Sequence, residues 1–147
     1  MCPAKVDTAA VLYWQNCGGV YVVNVPFWFP VEKDCGEFGL TKIGMSSNIS
    51  ARVNGFKADP TLQKRLRSDE RFSLLDLSSA ELAHTIPCAD KATAKVVEAA
   101  MHRLFWHRHV WGEWFQLSRD ETETIQDLDC PAYVVGLASE HIAQLAR

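Results

Sequence analysis

A chain of 147 residues, 48% of them hydrophobic, is the length of one domain and can bury a real core. Its formal net charge of -3 argues against a protein that coats nucleic acid without selectivity, because that binding draws on clustered Lys and Arg. No run reaches the roughly 18 consecutive apolar residues of a membrane span, and the opening MCPAKVDTAA lacks the apolar core of a signal peptide. A soluble, cytoplasmic chain with no membrane partner is therefore expected.

The average charge hides an asymmetry. From Lys42 to Arg71 the bases Lys42, Arg52, Lys57, Lys64, Arg65, Arg67 and Arg71 outweigh Asp59, Asp69 and Glu70, a local balance of +4. From Glu113 to Asp129 six acids face Arg119 alone, a balance of -5. A phosphate ligand would dock on the first stretch and avoid the second. The five cysteines, Cys2, Cys17, Cys35, Cys88 and Cys130, are scattered, odd in number and form no C-x-x-C pair, so they read as reduced thiols.

In chain order, GGVYVVNV is β-branched and aromatic after paired glycines, which predicts a buried strand from about Val20 to Val25. PFWFPVEKDCGEF, with two prolines and a glycine, predicts a loop carrying an aromatic lid or partner surface. LTKIGM is the next short strand, most simply antiparallel to the first. SSNISARVNGFK places Ile49, Val53 and Phe56 at helical spacing after Ser and Asn caps, with Arg52 off that stripe. DPTLQKRLRSDER predicts a second short helix behind its Asp-Pro start.

RFSLLDLSSAELAHTIPC alternates enough for one or two strands, with His84 near the end of the second. DKATAKVVEAAMHRLFW is the strongest helix signal, capped by Asp90 and burying Ala94, Val97, Met101, Leu104 and Phe105. WGEWFQLS predicts a turn into a strand, in which Trp114 and Phe115 anchor the element. RDETETIQDL predicts an acidic helix, and SEHIAQLAR a terminal one. The sum is an α+β domain with a small antiparallel sheet of about three strands flanked by helices.

GGVYVV, then TKIG, SARVNGF, VVEAAMHRLF and GEWFQLS, taken together and in that order, resemble the GIY-YIG nuclease superfamily. The likeness is to its phage-associated branch, where the second motif reads Lys-Ile-Gly and a GEWF-like element closes the domain. The resemblance covers Gly18 to Ser118. It implies an N-terminal extension over 1–17, a GIY-YIG-like nuclease domain over 18–118, and a C-terminal helical extension over 119–147 packed on the same domain. It also implies a metal-dependent endonuclease acting on DNA of undetermined strandedness. The alternative is a non-catalytic GIY-YIG-like module that binds nucleic acid or a protein.

The resemblance assigns roles to residues whose chemistry suits them. Glu98 becomes the single metal ligand for Mg²⁺ or Mn²⁺, hard cations that take carboxylate, phosphate and water oxygens. Arg52 becomes the phosphate clamp, its planar fork matching phosphate geometry. Tyr21 becomes the general base on the attacking water. A phenol with a pKa near 10 needs neighbouring positive charge for that role, and Lys42, standing where the wider superfamily has a second tyrosine, is the expected source. Each of the four also has a plain alternative: a core tyrosine, a snorkelling strand lysine, an exposed helix arginine and a solvated helix glutamate.

His102 lies four residues after Glu98 and shares its helix face, a spacing that also suits a metal pair, or a histidine acting as proton donor or phosphate ligand. His84 is the competing acid or base. Lys57, Arg103 and Arg108 join Arg52 as expected substrate contacts, with His107 and His109 lining a groove or the surface. Glu113, beside Trp114, is kept out of the catalytic set. A second copy or a protein partner is expected at the aromatic loop around Phe27 to Phe29.

Overall fold

Two long strands joined as a hairpin organise the chain. The computed structural model describes residues 18–30 and 37–145. Strand β1 (Gly19–Pro30) pairs antiparallel with β2 (Glu37–Ser46), Tyr21 standing opposite Gly44 and Val23 opposite Lys42. The Pro26–Phe38 segment, expected as a loop, is partly strand. After an irregularity between Val25 and Phe29 the ladder resumes with Phe29 opposite Phe38 and Pro30 opposite Glu37. Backbone pairing overrides the proline signal because a bulge absorbs the misfit. Residues 1–17, 31–36, 146 and 147, the Phe27 to Phe29 side chains expected to meet a partner, and Cys2, Cys17 and Cys35 lie outside what is described. Among the described residues Cys88 and Cys130 are buried free thiols.

The polar stretch after β2 folds as two capped helices. Asn48 accepts from the Ala51 N–H at the start of α1 (Ile49–Lys57), and Asp59 accepts from Thr61 and Leu62 at the start of α2 (Pro60–Arg67). Each such cap stabilises its helix by about 1 kcal/mol. The next stretch, read as one or two strands, contains two 3₁₀ turns (Glu70–Phe72 and Leu77–Ser79) and a single strand, β3 (Glu81–Pro87). Asp69 and Asp76 hold those turns through side-chain bonds to Arg71 N and Ser78 N, competing successfully with strand pairing. His84 consequently sits within β3, opposite Val22.

Helix α3 (Lys91–Leu104) follows its Asp90 cap. Then come a 3₁₀ turn (Trp106–Arg108), a hairpin of β4 (His109–Trp111) and β5 (Trp114–Ser118), α4 (Arg119–Ile125) and α5 (Pro131–Leu145). The fold is α+β with five described helices and a five-stranded antiparallel sheet in the order β3-β1-β2-β5-β4. The sheet exceeds the expected three strands in part because β4 has only three residues, too few to show alternation. No described helix is long and apolar enough to cross a membrane.

Alternation along β1 and β2 divides the core in two. Val20, Val22 and Ile43 face α3 and α5, with Met101, Phe115, Val134 and Ala138 in one cluster. Tyr21, Val23 and Leu40 face α1, with Phe56, Leu66, Phe72 and Trp114 in the other. Tyr21 is 1% exposed, and its ring lies against the backbone of Gly44. A Cβ built at Gly44 would stand 2.6 Å from the Tyr21 hydroxyl oxygen and 2.7 Å from Cζ, so glycine is required there for close approach.

Gly44→Ala is therefore expected to lower unfolding free energy by about 1–3 kcal/mol in urea denaturation. Adding Tyr21→Phe should not restore it, since Cζ remains. Unchanged stability in the single variant would remove this packing argument.

Candidate active site

The site is built where β2 loses its neighbour. β5 pairs with β2 from Phe38 to Lys42 and begins at Trp114. One more backbone bond, Ile43 N–H to the Glu113 carbonyl at 3.0 Å, closes that ladder. Beyond it the β2 groups that point toward β5 need other partners, because an unpaired buried peptide group costs about as much as a lost hydrogen bond. α3 supplies them from one face. The His102 Nε2–H donates to the Ile43 carbonyl at 2.8 Å, and the Glu98 carboxylate accepts from the Met45 N–H.

The bond to Ile43 fixes the His102 tautomer and leaves Nδ1 as the ring's acceptor. Phe115 packs against the same ring, centroids 5.0 Å apart. In Glu98, the Oε2 atom is buried and has no hydrogen-bond partner among the described residues. Burial raises the Glu98 pKa to about 7; the Glu113 charge adds to the rise, while Lys42 and the Met45 N–H oppose it. A carboxylate oxygen kept dry and unpaired is open to a cation or a proton.

From the other face, Lys42 and Tyr21 converge on the same edge. They occupy diagonal positions on one side of the β1–β2 ladder, close enough for long side chains to share surroundings. The Lys42 ammonium lies 5.3 Å from the Trp114 ring centroid and 5.8 Å from that of Phe56. It bonds Glu113 Oε2 at 2.6 Å, with the Lys42 side chain only 13% exposed. Lys42 and Tyr21 thus share a face as expected, yet the electrostatics run opposite to the expected activation. The Tyr21 phenol is pushed up, by burial first and then by the Glu113 charge; Arg52 pulls it down, and Glu98 raises it further. The Lys42 charge is directed at Glu113, and Tyr21 stays a phenol at neutral pH.

Glu113, kept out of the catalytic set on sequence, is the residue whose contact with Lys42 the sequence did not foresee. Its backbone extends the β5 ladder and its carboxylate holds Lys42. The only signal was its place next to Trp114, which becomes informative once Trp114 is known to stand opposite Lys42. Arg52 lies exposed on α1 and lines an open cavity of about 430 Å³ with Ser46, Asn48, Ala51, Gly55, Phe56 and Asp59. Its charge reaches the Tyr21 phenol, and no ion pair engages it among the described residues.

The remaining candidates lie elsewhere. His84 is on β3, two strands from β2, and its Nε2–H donates to the Leu128 carbonyl at 2.8 Å. This bond ties the sheet to the C-terminal segment. Lys57 lines a separate cavity of about 530 Å³ between α1 and β3. Arg103 is exposed one residue beyond His102. Arg108 Nε bonds Glu121 Oε1 at 2.8 Å, and His107 Nε2 bonds the other oxygen at 2.8 Å, so both already serve to fix the start of α4. Among the described residues no group of three or more His, Cys, Asp or Glu side chains could enclose a metal.

A family model described as the T5orf172 domain matches residues 18–128. No curated protein and no solved structure matches the chain.

The raised Glu98 pKa has a definite sign in stability. The fold favours the protonated carboxyl, so this contribution is complete below about pH 4.5 and is lost as pH rises through about 7. Thermal melts of metal-free protein should show Glu98→Gln more stable than wild type at pH 8 and equal to it near pH 4. A gap independent of pH would contradict the buried carboxyl.

Proposed function

Because the chain belongs to the T5orf172 domain family, a phage T5-named domain related to GIY-YIG nucleases, we propose that it is a divalent-metal-dependent endonuclease hydrolysing phosphodiester bonds in DNA. One observation carries this reading. Glu98 holds a buried oxygen with no hydrogen-bond partner among the described residues, at a strand edge shared with a histidine acceptor and a half-buried lysine. The single carboxylate suits Mg²⁺ or Mn²⁺, because such cations are commonly held by one or two carboxylates, with water and substrate phosphate completing the shell. When bound there, the cation supplies Lewis-acid stabilisation of a phosphoryl oxygen.

The chain's own groups divide the remaining work. Arg52, beside an open cavity and in no ion pair among the described residues, holds the scissile phosphate through its planar fork. Lys42 places a fixed positive charge where negative charge develops, and its bond to Glu113 keeps it oriented before substrate arrives. His102 accepts the proton of the attacking water at Nδ1, since Nε2 is committed to Ile43. Tyr21, held as a phenol, donates to a phosphate or leaving oxygen. Water attacks phosphorus, the bond to the leaving oxygen breaks, and that oxygen takes up a proton.

The test is cleavage of plasmid and oligonucleotide DNA with Mg²⁺ or Mn²⁺. Wild type should cut, Glu98→Gln and Arg52→Ala should each lose on the order of 100-fold or more, and Lys42→Met should lose about 10-fold or more while staying folded by circular dichroism. At pH 8 Mg²⁺ should raise the melting temperature of wild type and leave Glu98→Gln unchanged. Absence of cutting on every DNA form, with no calorimetric metal uptake and retained DNA binding, would make the chain a non-catalytic binding module.

A further inference from the structure

Trp106 is a large aromatic residue that the site does not use, and 58% of it is exposed. It follows α3 in the 3₁₀ turn Trp106–Arg108, and its ring stacks on His109 with centroids 4.0 Å apart and planes inclined by 16°. His109 is itself fixed. Its Nε2–H donates to the Gly112 carbonyl at 2.9 Å, across a turn where Gly112 takes a φ of 54° that favours glycine. One edge of the ring meets buried Phe115 at 5.4 Å, and Phe115 packs on His102.

A continuous aromatic series therefore runs from the histidine beside Glu98 to a surface indole. A tryptophan exposed to this extent without a reason in the core would be better replaced by a polar residue. Here a second ring backs one of its faces, so the indole is already ordered and its binding incurs little loss of side-chain entropy.

We infer that Trp106 is a stacking platform for an unpaired nucleobase, and that the substrate of this site carries unpaired nucleotides next to the cut. The inference rests on the nuclease reading for where the cut falls, and on the ring geometry for the platform. Every base has a π-face, so an ordered indole holds a base without reading its identity, whereas a base inside a duplex has both faces occupied.

Charge favours the same occupant. Arg108 and His107 beside the platform are bonded to Glu121 in the acidic first turn of α4, which also carries Asp120. A duplex doubles the phosphate charge brought against that turn, while a single strand brings half as much. With a net charge of -3 for the chain, stacking offsets the modest phosphate attraction.

The experiment measures anisotropy of labelled DNA of about 12 nucleotides in EDTA, where cutting cannot occur. Single strand, matched duplex and a duplex with a single-stranded flap are bound to wild type, Trp106→Ala and Trp106→Phe. Trp106→Ala should weaken single-strand and flap binding on the order of 10-fold and leave the duplex unchanged, and Trp106→Phe should restore most of the loss. Equal losses on all three DNAs, or no loss on any, would overturn the inference.

Cleavage by the same proteins in Mg²⁺ separates the two readings. Ring-dependent single-strand binding without any cutting would keep the platform and remove the nuclease. Glu98-dependent cutting that Trp106→Ala leaves equal on every DNA form would do the reverse.

Discussion

The bond between His102 and the Ile43 carbonyl is the constraint on which the site depends. β5 is too short to accompany β2 to its end, so the strand edge past Lys42 would leave peptide groups unpaired. Side chains of α3 take their place, and this requirement draws a histidine and a glutamate one helical turn apart to a single edge. Satisfying the backbone and assembling the chemistry are thus one event.

Electrostatics at that edge follow from how few charges are brought together. Lys42 acts on two carboxylates, Glu98 and Glu113, and makes its close contact with Glu113. Glu98 is left with the cost of burial and a like charge nearby, and its pKa rises. Tyr21 experiences the same acids from the other side of the sheet. Arg52 opposes that trend from α1, outside the buried edge, where a phosphate has access to it.

Much of this was legible in the chain itself. Asn48, Asp59 and Asp90 announce their helices by capping chemistry, and the Glu98-to-His102 spacing places both on one face without any coordinates. The antiparallel pairing of the two Gly-bounded strands puts Lys42 on the Tyr21 side. What stayed hidden was set by long-range pairing. Glu113 meets Lys42 across 71 positions, and no local pattern encodes that register. The Tyr21 environment was misjudged for a related reason: its burial, which raises the phenol first, and the Glu113 charge, which raises it next, both come from residues distant in sequence. The 3₁₀ turns replaced a strand because aspartate side chains captured backbone donors locally, and β4 was too short for alternation to register.

Glu113 is anchored twice, by atoms that substitution treats differently. Its carbonyl holds Ile43, a contact every residue type can make, while its carboxylate holds Lys42. The end of the β2–β5 ladder can therefore persist while the charge beside Lys42 varies. In evolutionary terms, position 113 can adjust the electrostatics of the edge without disturbing its architecture, a freedom that Gly44, locked against the Tyr21 ring, does not have.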